Sequence, residues 1–452
     1  MTDRSVAAPV AAPVVVIGAG PQGLAAAAHL LERGLTPVVL EQGSAPAAAV
    51  AEWGHVRLFS AWPELVDQAA ARLLARSVEG GWTAPESGYP TGAEWVDRYL
   101  APLGAALAEH VRYDARVVGV SRKGRDRLVD AGRAEQPFTV HFTTANGDEE
   151  RIEARAVIDA SGTWRKPSPA GADGIPALGE VAATTAGLIS YQVPDGASPA
   201  RYAGKHNVVI GAGASAFNAI IELARIAAEH PGTTITWALR RAVSGGTFGG
   251  GEADQLPQRG ALGLRAKKLV EDGAVELLTG FRTARITVDD GRAVVLAEDG
   301  RALAPADNVV VLTGFRPDLS FLSELRLDLD PTLEAPRNIA AEIDPNIHSC
   351  GSVRATGAAD LAQPEPDLYL VGMKSYGRAP TFLALTGYEQ VRSVVAELAG
   401  DHEAAARVEL ALPDTGVCGG AGLFDEPAGN EGGGCCGSPE QEVLTVGAPV
   451  TC

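Results

Sequence analysis

Cysteine is missing from the first 349 residues of this 452-residue chain; its five cysteines are Cys350, Cys418, Cys435, Cys436 and Cys452. A redox dithiol is thereby excluded from the first two-thirds of the polypeptide. Basic residues are also scarce. With 38 Lys and Arg against 56 Asp and Glu the net charge is -18, which disfavours nucleic acid and anionic membrane as partners. Long apolar runs are lacking too, so no membrane span is expected. Residues 1–13 hold an acid, a base and two prolines but no apolar stretch, so 1–12 reads as a short disordered lead-in and the cytoplasm is the expected compartment. There is no HExxH and no histidine pair at helical spacing, hence no motif for a catalytic metal. Aromatic residues make up only 5% of the chain, and Trp53, Phe59, Trp62, Trp82, Tyr89, Trp95 and Tyr99 crowd into one stretch. Such a concentration fits either the wall of a pocket or a helical cap packed on a sheet.

Glycine, by contrast, is placed with purpose. The run Val14-Val15-Val16-Ile17-Gly18-Ala19-Gly20-Pro21-Gln22-Gly23 reads as a buried parallel strand, a tight turn and the start of a helix. Val208-Val209-Ile210-Gly211-Ala212-Gly213-Ala214-Ser215-Ala216 repeats it. In each, the glycines let backbone turn sharply and approach a pyrophosphate on the helix N-terminus. Two such cradles in one chain point to two dinucleotides, and therefore to redox chemistry.

Each cradle leads into a similar succession of elements. After the first come an Ala/Leu-rich helix over 24–31, a strand over 37–40, short alternating runs over 117–120, 138–143 and 156–158, and the small-residue turn Asp159-Ala160-Ser161-Gly162-Thr163-Trp164. After the second come a helix over 219–229, a strand over 234–239, a β-meander over 275–296, a strand over 308–312 and the turn Thr313-Gly314-Phe315-Arg316-Pro317. The order describes a diverged duplication. The expected fold is α/β, with two Rossmann-like dinucleotide-binding domains that each carry a β-meander. A first domain over 13–200 is interrupted by a second over 201–318 and closed by 319–406, where a strand over 367–372 and a helix over 379–398 finish the first site. Residues 407–452, rich in Gly and poor in large apolar side chains, are expected to be a disordered tail.

The corners of the cradles distinguish their ligands. The first has Gly23 at its third corner, and Glu41 closes the next strand, where a carboxylate accepts hydrogen bonds from an adenosine ribose. The second has Ala216 there, and its next strand runs into Arg240 and Arg241, which can hold a 2'-phosphate that a carboxylate would repel. The first site, Gly18, Gly20, Gly23, Glu41, Ser161, Gly162 and Gly372, is assigned to FAD. The second, Gly211, Gly213, Ser215, Ala216, Arg240, Arg241, Thr313 and Gly314, is assigned to NADPH.

Over residues 14–398 these features resemble the flavoproteins with two dinucleotide-binding domains, and among them the flavin-containing monooxygenase-like group. The stretches Gly372-Met373-Lys374-Ser375-Tyr376-Gly377-Arg378-Ala379-Pro380-Thr381-Phe382 and Gly387-Tyr388-Glu389-Gln390-Val391-Arg392 look more narrowly like flavoproteins encoded beside arsenic-resistance genes. There are departures. Ala47-Ala48-Ala49 stands where the group has paired glycines, residues 187–196 hold no histidine, and Met373 stands where many relatives have an acid against the ribityl chain.

The resemblance implies a monooxygenase: NADPH reduces FAD, O2 adds to give a flavin hydroperoxide, and a soft nucleophile such as a trivalent arsenical, a thiol or an amine takes up oxygen. Trp53, Trp62, Tyr376 and Arg378 are the candidate pocket residues. The alternative is a flavin reductase acting on a metal(loid) or disulfide through the C-terminal cysteines, of which Cys418, Cys435 and Cys436 form a candidate trivalent-metalloid capture set. A third reading is a nucleotide-binding redox sensor. A small-molecule substrate and O2 are the expected partners, and the oligomeric state, a dimer among the options, stays open.

Overall fold

The computed structural model describes residues 12–345 and 354–410, apart from 245, 255 and 381. All five cysteines, residues 1–11 of the lead-in and residues 411–452 of the tail expected over 407–452 lie outside the described residues.

In the first half the strands are β1 (Val14–Ile17), β2 (Pro37–Leu40), β3 (Val111–Arg112), β4 (Arg116–Arg122), β5 (Phe138–Thr143), β6 (Glu149–Ala154) and β7 (Ala156–Asp159). The second half has β8 (Ile189–Ser190), β9 (His206–Ile210), β10 (Thr234–Ala238), β11 (Glu276–Leu278), β12 (Thr283–Asp289), β13 (Arg292–Ala297) and β14 (Asn308–Val311), and β15 (Leu368–Leu370) closes the fold. Two parallel five-stranded sheets result, in the orders β15-β7-β1-β2-β3 and β11-β10-β9-β14-β8. β1, β7 and β14 are buried at every position, as expected of β-branched strands covered on both faces. Each fully buried Val or Ile contributes about 1.5–3 kcal/mol of hydrophobic stabilisation.

The helix Pro21–Glu32 follows β1 directly, with proline preset for its first turn, and Gly34, at φ +71°, marks its end. Its Ala/Leu face packs against the helix Ala384–Leu398, which returns from the far end of the sequence. The closing segment therefore completes the first sheet and covers it.

Several elements differ from the sequence expectation; the helix expected over 379–398 begins only at Ala384, past Pro380. β6 is absent from that expectation; it pairs with β5 in an antiparallel three-stranded layer β4-β5-β6, while the run at 156–158 instead becomes β7 of the parallel sheet. In Glu149–Ala154 only Ile152 and Ala154 turn away from solvent, so charge masks the strand. The expected meander over 275–296 divides: β11 joins the parallel sheet, and β12 and β13 form a hairpin whose turn, Asp290-Gly291, has positive φ at both residues. β8 lies within the span 13–200 but pairs with β14 in the second sheet.

Candidate functional site

Both cradles have the geometry that a dinucleotide needs. At the first, a Cβ on Gly23 would lie 1.8 Å from the Gly18 carbonyl oxygen, so helix and strand pack too closely for any side chain. A Cβ on Gly20 would meet nothing within 4 Å. That open face, at the N-cap of a 12-residue helix, is where a pyrophosphate would approach. The Glu41 carboxylate accepts hydrogen bonds from the Ala19 N–H at 2.6 Å and the Gly43 N–H at 2.7 Å. It thus ties the glycine turn to the end of β2.

The second cradle repeats the pattern. A Cβ on Gly211, at φ +139°, would stand 2.2 Å from the Leu312 oxygen, whereas Gly213 has open space. Trp237 Nε1 donates to the Gly211 carbonyl at 2.7 Å and fixes the turn. Ala216 is buried under it, with Ser215 half-buried at the helix start. Arg240 is exposed and donates to the Ala172 carbonyl at 2.9 Å, so it also holds the loop that follows Pro169. Arg241 is its half-buried neighbour. Thr313 Oγ1 donates to the Ser168 and Pro169 carbonyls, and Gly314, at φ +99°, is open to solvent.

At the C-terminal ends of β7 and β15 lies a group of charges to which the sequence motifs assign no role. Lys374 Nζ is 3.1 Å from Asp159 Oδ2, and both side chains are wholly buried. The ammonium also donates to Ser161 Oγ at 2.9 Å and the Asp318 carbonyl at 2.6 Å, and it lies 4.8 Å from the Phe321 ring centroid. Ser161 in turn donates through N and Oγ to Asp159 Oδ1. One lysine thus joins the turn after β7, the return from the second domain and the turn after β15. Gly372, at φ +68°, opens the last of these; its N–H donates to Gln390 Oε1 at 2.8 Å, and a Cβ there would run into Gln22. The only sequence signal for this group is an acid ending β7 and a lysine two residues past Gly372.

The four expected pocket residues are placed differently from one another. Trp53 is half-buried against Gly92, and Trp62 is buried in the core with the Arg98 guanidinium 5.1 Å from its ring centroid. Trp95, Tyr99 and Trp82 pack around the same core, which favours the helical-cap account of this aromatic stretch. Tyr376 is buried edge-to-face on Phe382 at 5.1 Å, and burial holds its phenol well above the usual range. Arg378, two residues on, is exposed. The structure brings Tyr376 and Arg378 onto one turn.

Among the described residues no cluster of three or more His, Cys, Asp or Glu is arranged to hold a metal ion, and no helix is long and apolar enough to cross a membrane. Cys418, Cys435 and Cys436 lie outside the described residues.

The signature of the pyridine nucleotide-disulphide oxidoreductase family matches residues 15–338, and the chain belongs to that family. A ferredoxin–NADP reductase from Ignicoccus hospitalis is 25% identical over 320 residues, covering 70% of this chain and 81% of the relative. Among solved structures, a bacillithiol disulfide reductase from Bacillus cereus superposes with a TM-score of 0.63 at 20% identity, over 86% of this chain and 99% of the other. A flavin-containing monooxygenase from Stenotrophomonas maltophilia does so with a TM-score of 0.52 at 23% identity, over 86% and 98%. The protein is a flavin-dependent oxidoreductase that uses FAD and a pyridine nucleotide, and both cradles fit that pair.

Proposed function

From this membership we propose that the chain is an NADPH-dependent FAD monooxygenase acting on a soft nucleophile: a trivalent arsenical, a thiol or an amine. The observation that carries the reading is the absence of any thiol from the described residues, and from the sequence before Cys350. A disulfide reductase keeps a dithiol beside its flavin to pass electrons on. Here both cradles are intact and no dithiol stands beside them among the described residues, which favours O2 over a disulfide as the acceptor.

When bound, the flavin supplies hydride acceptance from the nicotinamide and the activation of O2. The chain's own residues bind, orient and exclude water. Gly18, Gly20 and Gly23 admit the FAD pyrophosphate, and Glu41 holds its ribose. Arg240 and Arg241 select NADPH by its 2'-phosphate. The Lys374–Asp159–Ser161 group holds the turns after β7 and β15 in fixed relation, so that both can face one ligand. Trp53, Tyr376 and Arg378 are the side chains assigned to the substrate side, and Cys418, Cys435 and Cys436 are proposed to capture a trivalent metalloid before its oxidation. The adjacent pair Cys435-Cys436 also supports a second reading, reduction of a metal ion or disulfide through the tail.

Stopped-flow reoxidation of the NADPH-reduced enzyme separates the two. Oxygen-dependent turnover that forms one oxygenated product per NADPH is expected; NADPH oxidation that proceeds without O2 when a disulfide or metal ion is added would refute the oxygenase.

A further inference from the structure

A cavity of about 410 Å3 lies where the chain passes between the two domains, lined among others by Lys166, Pro169, Ile175, Val181, Tyr191 and Arg316. Its volume falls within the range of small-molecule sites. Neither the FAD assignment nor the NADPH assignment draws on it.

The charges there are unusual for a chain of net charge -18. A Cβ on Gly174 would lie 3.2 Å from Arg316 Nη2 and 3.9 Å from Arg378 Nη2, so two guanidiniums converge on one backbone point. Arg316 donates to the Gly174 carbonyl and to Ser168 Oγ. The Arg378 guanidinium makes no hydrogen bond or ion pair with any described residue, and Lys166 Nζ has only a long contact of 3.4 Å to the Pro317 carbonyl. Burial first, then the charge of Arg378, pulls the Arg316 guanidinium below its usual range, with Glu334 partly opposing. The acid in the lining, Glu180, is engaged: it accepts from the N–H groups of Ala170 and Ala177 and from Tyr191 Oη. Lys166, Arg316 and Arg378 outnumber Glu334, the acid whose charge acts on Arg316, and cations in excess around a concavity call for an anion.

The opposite side is apolar and open. Ile175 is 66% exposed and Val181 70%, with Leu178 beside them at 61%. Large aliphatic side chains so displayed, next to cations and around a concavity, suit a ligand with two characters.

We propose that this cavity is a binding site for a small organic acid, its anionic head held by Arg316 and Lys166 of the lining with Arg378 behind Gly174 at its edge, and its apolar body against Ile175 and Val181. The concavity favours a small molecule over a protein surface. Arg378 is shared with the substrate side assigned above, but the binding measured here involves neither O2 nor turnover.

Calorimetric titration of the FAD-loaded full-length protein with octanoate, 1-octanol and inorganic phosphate, with and without saturating NADP+, tests it. Saturable octanoate binding is expected, with 1-octanol and phosphate each weaker by about tenfold or more, the share of one charge-assisted hydrogen bond. Arg378→Met, an exposed position whose guanidinium has no partner to lose among the described residues, should weaken octanoate about tenfold at an unchanged melting temperature, and Ile175→Asp should weaken it too. The site is overturned if octanoate does not saturate, if 1-octanol binds equally, if Arg378→Met changes nothing, or if NADP+ displaces octanoate, which would give the cations to the nucleotide. Binding of polyglutamate but not octanoate would overturn it as well, in favour of an acidic protein partner.

Discussion

Gly20 and Gly23 sit three residues apart in the same cradle, yet alanine should damage them in opposite ways. Gly20 has φ -76° and ψ -174°, which alanine adopts without strain, and its added methyl would touch no protein atom within 4 Å. Gly20→Ala should therefore leave the FAD-free protein's melting temperature within about 1 °C of the parent, since surface changes of this kind cost a few tenths of a kcal/mol. At Gly23 the methyl would be 1.8 Å from the Gly18 oxygen, roughly 1.5 Å short of contact distance, and the obstacle is backbone. An overpacking cost of about 2–3 kcal/mol results, and with it a fall of about 2–5 °C. FAD binding reverses the ranking of interest. The Gly20 methyl fills the space for the pyrophosphate, and a loss of about 2.8 kcal/mol would weaken FAD about a hundredfold and remove the same amount of ligand-induced stabilisation. Scanning calorimetry with and without added FAD, together with flavin fluorescence titration, reads both quantities. Tight FAD binding by Gly20→Ala would refute the reasoning, because the pyrophosphate would then not pass over that face.

Lys374→Met should cost about 3–5 kcal/mol by leaving Asp159 charged and buried without its partner, and the double variant with Asp159→Asn should recover part of it; a loss under 1 kcal/mol in urea unfolding would contradict the ion pair's role. Arg240→Ala and Arg241→Ala together should raise the KM for NADPH far more than that for NADH, and equal effects would withdraw the 2'-phosphate assignment. Glu365 is buried between Arg122 and Arg133, and although burial works against ionisation, the hydrogen bonds of Arg133 and Arg122 hold its carboxyl below the usual range. Its folded pKa is thus below its unfolded one, so its stabilisation is complete above the unfolded value of about 4.3 and is lost as pH falls through the folded one. Glu365→Gln should be less stable at pH 7 and lose less stability between pH 5 and pH 3 than the parent; parallel curves would count against it.

The sheets that build the two cradles are legible in the sequence because their signals are local. Val14 to Ile17 are β-branched, Gly18 and Gly23 stand at fixed offsets, and Glu41 ends the next strand, so pattern and fold agree. The features that escape are set by distant contacts. β3 and β8 are two-residue edge strands that exist only because a sheet is there to accept them. β6 carries four charged residues among six, and its pairing is decided by β5. Trp62 cannot be separated from a pocket residue by composition, since a ring buried in a core and a ring against a ligand are the same residue type. The burial of Lys374 depends on Asp159 and Asp318, 215 and 56 positions away, and no window along the chain shows that.

The two passages between the domains lie side by side. Pro167 bridges Phe315 in antiparallel fashion, Ser168 N donates to the Gly314 carbonyl, Arg316 N donates to the Lys166 carbonyl, and Trp164 packs on Phe315 at 5.0 Å. Lys374 then gathers Ser161 and Asp318 on one ammonium. The second domain therefore leaves and rejoins the first at a single stem, and the order β15-β7-β1-β2-β3 is unbroken by its presence. In evolutionary terms such a stem is a graft point: a nucleotide-binding module can be copied, inserted and diverged there while its host keeps every strand contact it had before.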